Sequence, residues 1–140
     1  MLRRYKESDI LDIIKLEEKL LNTTIGYNIL HDRLDDDNFY IYVYEDIDIV
    51  GYISSYFDYD TLEILNFCIR EDYQRNGIGT LILNNLIDEL KDKNLKRVVL
   101  EVRSKNEKAV NFYNKNGFKV VNIRRNYYKD DDAFLMEKFI

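Results

Sequence analysis

Gln74-Arg75-Asn76-Gly77-Ile78-Gly79-Thr80 stands between an apolar, strand-like run from Leu62 to Ile69 and a strongly helical one from Leu81 to Leu90. Strand, glycine turn and helix in that order make a cradle for phosphate. Glycine lets the backbone turn with positive φ and puts no side chain between it and a ligand, and the first N–H groups of a helix point outward without intrahelical partners. An anion such as a pyrophosphate fits there. The Walker loop is excluded, because it carries a Lys and a Ser or Thr after its last glycine, whereas Gly79 is followed by Thr80-Leu81. The dinucleotide fingerprint is excluded too, since it needs three glycines near the start of a βαβ unit and an acidic residue about 20 positions on. Read alone, the heptapeptide fits either a short phosphate cradle or an ordinary connection whose glycines serve geometry.

Upstream of the turn, Phe39-Tyr40-Ile41-Tyr42-Val43-Tyr44 alternates, with Phe39, Ile41 and Val43 facing one way and three tyrosines the other. Asp46-Ile47-Asp48 turns the chain, Ile49 to Phe57 returns, and Thr61 to Ile69 is a third antiparallel strand. Nearer the N-terminus, a short strand around Leu2 to Tyr5 precedes a helix that Ser8 can cap, with Ile10, Ile13, Ile14, Leu16, Leu20 and Leu21 largely on one side. A shorter helix covers Tyr27 to Leu34. Downstream, Val98 to Val102 is apolar and β-branched, as a strand covered by helices should be. Ser104 or Asn106 caps a helix through Tyr113, Gly117 ends it, and strands near Phe118 to Arg124 and Phe134 to Phe139 follow. The order βααβββαβαββ predicts an α/β fold with a mixed central β-sheet flanked by helices.

A chain of 140 residues fits one domain, residues 1–140, able to bury roughly two thirds of its unfolded surface. Charged residues make up 34% and hydrophobic ones 46%, a globular balance rather than a disordered one, and no run of about 18 apolar residues exists to span a membrane. The basic Met1 to Lys6 is followed by polar and acidic residues instead of an apolar stretch, so it does not read as a secretory signal and a cytoplasmic location is expected. One cysteine, Cys68, and one histidine, His31, point to neither a disulfide nor a metal site. A net charge of −5 argues against direct nucleic-acid binding. The runs Asp35-Asp36-Asp37 and Asp130-Asp131-Asp132 read as solvated loops.

The order of elements, with Q-R-N-G-I-G between the fourth strand and the third helix, resembles the GNAT superfamily of N-acetyltransferases over essentially the full length. The family motif Q/R-x-x-G-x-G/A is filled by Gln74, Gly77 and Gly79, with Arg75, Asn76 and Ile78 at the open positions and Thr80 following. The resemblance implies acetyl-CoA as co-substrate, its pyrophosphate held by backbone N–H groups from Arg75 to Thr80, and its pantetheine amides paired with the fourth strand at Phe67, Cys68 and Ile69. Leu100-Glu101-Val102-Arg103, Asn106, Ala109, Asn111-Phe112-Tyr113 and Asn116-Gly117-Phe118 resemble the later motif of the same family. By that resemblance Asn106 contacts the cofactor or its neighbouring backbone, and Tyr113 points its hydroxyl at the thioester sulfur. L-E-V-R, followed later by Arg124-Arg125-Asn126-Tyr127-Tyr128, resembles the bacterial ribosomal-protein alanine N-acetyltransferases, which implies a protein N-terminus as acceptor.

Acetyl transfer from a thioester needs a neutral amine, a route for its proton, a donor for the oxyanion and a proton for the leaving thiolate. A free α-amino group, with pKa about 7.7 to 8.0, is neutral roughly one time in ten at pH 7, whereas a lysine near 10.4 is neutral less than about one time in a thousand. Glu101 is the candidate base, directly or through one water, and Tyr113 the candidate acid. A backbone N–H near Cys68 or Ile69 would meet the oxyanion. Cys68 itself reads as a small buried residue, because nothing in the sequence activates it. Tyr127 and Tyr128 would hold the peptide backbone through their hydroxyls, with Asn126 turning the chain, and Asp130 to Asp132 would draw in a basic N-terminal arm. One segment differs from the ribosomal-protein enzymes. Where they usually carry an aromatic and a proline, this chain has Thr23-Thr24-Ile25-Gly26-Tyr27, and it has no Pro or Trp anywhere. A small amine such as a polyamine or amino sugar, and a non-catalytic acetyl-CoA sensor, are the alternatives.

Overall fold

Alternation along Phe39–Asp46 (β2) buries Ile41 and Val43 on one face of a sheet and Tyr40 and Tyr42 on the other. The computed structural model of the protein describes residues 1–140. Ahead of β2 come Leu2–Arg4 (β1), Ile10–Leu21 (α1) and Tyr27–Asp32 (α2); after it come Asp48–Asp58 (β3), Thr61–Ile69 (β4), Ile78–Lys91 (α3), Arg97–Arg103 (β5), Glu107–Lys115 (α4), Lys119–Tyr128 (β6) and Asp131–Phe139 (β7). The helices and strands follow the predicted order βααβββαβαββ. All seven strands lie in one sheet, β1-β2-β3-β4-β5-β7-β6, in which only β4 and β5 run parallel.

The helices sort to the two faces by their apolar stripes. Ile10, Ile13 and Leu16 of α1 and Leu30 of α2 pack on Ile41, Val43, Ile49, Tyr52 and Cys68. Ile82, Leu83, Leu86 and Leu90 of α3, with Tyr113 of α4, pack on Ile53, Leu62, Ile64, Val98, Leu100 and Val102. Each such Ile or Leu withdrawn from water contributes about 1.5–3 kcal/mol.

The start of α1 differs from the expectation of a Ser8 cap. A 3₁₀ turn, Glu7–Asp9, leads in, and the Asp9 carboxylate accepts the Lys6 N–H at 2.9 Å. The same carboxylate takes both guanidinium arms of Arg3, at 2.8 and 2.9 Å, so a paired aspartate, not a serine, fixes the entry.

The feature that positions the site is a parting of strands. β4 pairs with β5 over Thr61 to Ile64, opposite Arg97 to Leu100, and stops there. On its other edge β4 carries a bulge: Ile64 faces Ser55 and Asn66 faces Ser54, leaving Leu65 between them. A bulge adds one residue and bends the strand. It also exchanges which residues face which way. Leu62 and Ile64 lie on the α3 side before it and Phe67 and Ile69 after it, while Cys68 turns toward α1.

Candidate functional site

At the parted end of β4 a cleft of about 950 Å³ runs from the C-terminal end of α1 to the N-terminal end of α3 and along α4. Its wall at α3 is the glycine turn. Gly77 has φ +79 and Arg75 φ +64, so two left-handed residues curl the backbone into a nest, and no side chain caps the helix. Among the turn, loop and cap hydrogen bonds, none has a donor N–H from Arg75 to Thr80, which leaves those groups free for a ligand. A Cβ on Gly77 would meet nothing within 4 Å, whereas one on Gly79 would lie 2.9 Å from the Phe112 ring. Gly77 therefore supplies the conformation and Gly79 the close approach of α3 to α4.

Gln74 holds the turn in place. Its amide donates to the Ile69 carbonyl at 2.8 Å and accepts from Lys108 Nζ at 3.3 Å, linking the end of β4 to α4. Asn106 caps α4, its side-chain oxygen accepting the Ala109 N–H at 3.2 Å, so the residue expected near the cofactor also shapes the helix that lines the cleft. Ser104, the other candidate cap, donates instead to Asp131.

Phe67, Cys68, Ile69, Gln74, Arg75, Gly77, Gly79, Thr80, Asn106 and Tyr113 all line this one cleft. Two neighbours in the motif do not. Asn76 lies outside the lining, and the Ile78 side chain packs in the core beneath the turn, so each offers only backbone to the nest. Leu20 and Leu21, expected only as part of the apolar face of α1, also line the cleft, as do Tyr73, Lys108 and Lys115, which the sequence reading did not place in a site. Lys108 and Lys115 are seven apart on α4, a spacing that puts two cations on one face of a helix and is readable from the sequence.

Tyr113 sits in an aromatic column, its ring 5.3 Å from Phe112 and 5.4 Å from Phe118, edge to face. Burial, with a smaller push from Cys68, raises its phenol well above the ordinary value. Cys68 is buried beside it, and burial, then the Glu17 carboxylate, push its thiol up to about 12.

Glu101 does not line the cleft. Val98, Leu100 and Val102 face α3, so alternation turns Val99, Glu101 and Arg103 to the α1 side of the sheet. There the Glu101 carboxylate lies 3.6 Å from an Arg124 guanidinium nitrogen. Tyr128 joins this second group: burial, then the nearby Glu101, raise its phenol, and the Arg103 guanidinium stacks 4.0 Å from its ring centre. Tyr127 meets Tyr128 edge to face at 5.2 Å and is half exposed under Arg124. Between Arg124 and Tyr128 the β6–β7 register shifts, and Asn126 takes φ +53, turning the chain there.

The acidic run 130–132 departs from the expected solvated loop at Asp131 and Asp132, while Asp130 stays exposed. Asp131 is 8% exposed and accepts from Ser104 Oγ, the Lys105 N–H at 2.9 Å and the Asp132 N–H at 2.7 Å. Asp132 accepts from the Asn126 N–H at 2.8 Å and from Arg125 at 3.1 Å, and Asp130 from Arg103 at 2.8 Å. Asp130 and Asp131 thus fasten the β6–β7 hairpin to the end of β5, and Asp132 braces the hairpin from within.

No group of three or more His, Cys, Asp or Glu side chains stands together as a metal site, and no helix is long and apolar enough to cross a membrane. Comparison with known proteins finds the acetyltransferase (GNAT) family matching residues 8–118. An N-alpha-acetyltransferase of Sulfurisphaera tokodaii is 33% identical over 96% of this chain and 90% of its own. The ribosomal protein bS18-alanine N-acetyltransferase of Escherichia coli is 41% identical over a shorter stretch, 53% of this chain and about half of that enzyme. Among solved structures, a ribosomal-protein-S18-alanine N-acetyltransferase from Escherichia coli superposes with a TM-score of 0.88 at 25% identity, covering 100% of this chain and 93% of that one.

Proposed function

The chain belongs to the acetyltransferase (GNAT) family, and from that premise we propose that residues 1–140 act as one N-acetyltransferase domain that moves the acetyl group of acetyl-CoA onto a protein N-terminus, an N-terminal alanine or similar small residue of a ribosomal protein. The observation that carries the acetyl-CoA reading is the row of unpaired N–H groups from Arg75 to Thr80 at the mouth of the cleft. A pyrophosphate offers acceptors for such a nest and the negative charge that a helix N-terminus favours. Arg75, Lys108 and Lys115 add cations around the same cleft.

Beyond Ile64 the edge of β4 toward β5 is without a strand partner, which leaves backbone between Phe67 and Ile69 open to pair with pantetheine amides, apart from the Ile69 carbonyl that Gln74 holds. A backbone N–H in that stretch would meet the oxyanion. Tyr113 lines the cleft from α4 and would return a proton to the departing thiolate. In water a phenol near 10 giving its proton to a thiol near 8.5 is uphill by about 1.5 units, roughly 2 kcal/mol. Burial that raises Tyr113 would also raise a thiol beside it, which narrows the difference between the two.

On the α1 side of the sheet, Glu101 would take the proton from the acceptor amine directly or through one water, with Arg124 displaced or shared as the acceptor enters. Tyr128, next to Glu101, and Tyr127 would hold the acceptor backbone. An α-amine suits such a site better than a lysine, because more of it is already neutral at pH 7. The ribosomal-protein acceptor rests on Arg124 to Tyr128 and on the likeness to the Escherichia coli enzyme.

The test is thiol release from acetyl-CoA with peptides beginning Ala, Ser, Met or Gly, each beside its N-terminally blocked form and beside spermidine. Turnover confined to unblocked peptides, best with Ala, is the expected result. Turnover on spermidine alone would assign a small-amine enzyme, and tight acetyl-CoA binding without turnover would assign a sensor.

A further inference from the structure

Glu17 lies on the inner face of α1, 1% exposed, among apolar residues. A carboxylate so placed is costly unless its lone pairs are met. They are met from two directions. One oxygen accepts from Thr24 Oγ1 at 3.0 Å and from the Ile25 N–H at 3.4 Å; the other accepts from Asn66 Nδ2 at 2.9 Å. Thr24 Oγ1 in turn accepts the Gly26 N–H at 3.2 Å. One side chain thus joins the α1–α2 connection to β4, at the residue directly after the bulged Leu65.

Besides Glu17, the packing of Ile25 on the α1-side core holds that connection. It leaves α1 through Asn22 at φ +57, enters α2 through Gly26 at φ +94, and contains no proline. Its amides from Asn22 to Gly26 donate no backbone–backbone hydrogen bond among the loop and cap bonds. Leu20 and Leu21, immediately before it, line the cleft, and Cys68, two residues after Asn66, lines the same cleft. The α1–α2 connection therefore continues directly from the wall that Leu20 and Leu21 form at the cleft's α1 end, and Glu17 is its polar fastening.

We propose that Glu17 is a positioning residue for the acceptor: by tying Thr24 and Ile25 to Asn66 it fixes the wall past which an N-terminus reaches the thioester. This rests on the N-terminal acetyltransferase reading. With both oxygens engaged, Glu17 holds geometry and moves no proton.

The experiment is steady-state kinetics of the full chain, varying an Ala-initiated peptide and acetyl-CoA in turn, for Glu17→Leu, Thr24→Val and Glu17→Gln. Hydrogen bonds to a charged group carry enough free energy for Glu17→Leu to raise the acceptor KM about tenfold or more, and for Thr24→Val to raise it about threefold. The acetyl-CoA KM and kcat should stay within about twofold, because the nest and Tyr113 are untouched. Glu17→Gln should restore the acceptor KM to within about threefold, since its amide oxygen still accepts from Thr24 and Ile25 and the Asn66 amide can turn to accept from its NH₂. Should Glu17→Leu fail to fold, Thr24→Val, changed at the loop end of the bond, decides. Acceptor KM unchanged in these variants while the wild type acetylates unblocked peptides overturns the positioning role alone. A kcat collapse in Glu17→Gln also overturns it, because the charge would then be the working part. A wild type that acetylates no N-terminus overturns both readings together.

Discussion

Ile64 and Leu100 are the last residues paired between β4 and β5. The next residue on β4 is the bulged Leu65 and the next on β5 is Glu101, so the base candidate stands at the lip of the gap. Tyr113 approaches from the α3 face and Glu101 from the α1 face. A gap between two parallel strands would let groups on opposite faces of one sheet reach one reaction centre, the base at the amine and the acid at the sulfur.

Removing the Tyr113 hydroxyl isolates the acid. The phenol is held up by burial and by Cys68, with no hydrogen bond contributing, so Tyr113→Phe strands no buried partner. Tm should move little, within about 0.5 kcal/mol of stability. Loss of a general acid should lower kcat about a hundredfold or more, while calorimetry finds acetyl-CoA affinity within about twofold. An unchanged kcat removes Tyr113 from the chemistry.

The two glycines of the turn should fail differently. Gly77→Ala puts a Cβ into open space but at φ +79, a strain of about 1–2 kcal/mol. Gly79→Ala drives a Cβ to 2.9 Å from Phe112, whose ring is held between Phe67 and Tyr113. Overpacking of that kind costs about 1–3 kcal/mol and shifts Tyr113 with it. Gly79→Ala should therefore lower kcat as well as Tm, and Gly77→Ala mainly Tm. Gly77→Glu adds a negative charge at the anion nest and should abolish acetyl-CoA binding in the same calorimetric assay.

The order of elements was legible because period-2 and period-3.6 patterns are long here, as in Phe39 to Tyr44 and along α1 and α3. The turn was legible because two glycines spaced two apart mark it, one for a left-handed backbone and one for the close approach of Phe112; the left-handed Arg75 beside them carries no such mark. The bulge at Leu65 was not, because a one-residue slip leaves no mark on composition, yet it decides that Cys68 faces α1. Asp130, Asp131 and Asp132 are identical in sequence and take three different partners, which only the fold of the hairpin assigns. Nothing in the sequence sets Glu17 apart from Glu18; the partner that makes its burial tolerable, Asn66, is forty-nine residues away along the chain.

Asp9 gives the fold an acid-sensitive clasp. The Arg3 hydrogen bonds, opposed by burial and helped by the Lys6 N–H, hold its carboxyl below the usual range. With the folded value depressed, the clasp contributes fully above the unfolded carboxylate value of about 3.9 and is lost as pH falls through the folded one. Denaturant melts should show stability falling below about pH 4 in the wild type and a shallower fall in Asp9→Asn. Equal slopes in the two proteins would separate Asp9 from the acid transition.

Cys68 lines the cleft where a thioester would lie, and a thiolate there would exchange with acetyl-CoA and trap the acetyl group on the enzyme. Burial and then Glu17 prevent this by pushing the thiol up to about 12. At pH 8 only about one molecule in ten thousand would carry the thiolate, against roughly a quarter for a free cysteine near 8.5. Transfer should then be direct, from thioester to amine. Initial-rate lines at several acceptor concentrations should intersect rather than run parallel, the sign that no acetyl-enzyme forms. Intact mass after incubation with acetyl-CoA alone should show no added acetyl group, and iodoacetamide should label the folded protein at pH 8 far more slowly than the urea-unfolded one. Cys68→Ala leaves a small cavity, costs about 1 kcal/mol or less of stability, and should keep kcat within a few-fold. Parallel lines together with an inactive Cys68→Ala would make Cys68 an acyl carrier and replace the direct mechanism with a two-step one.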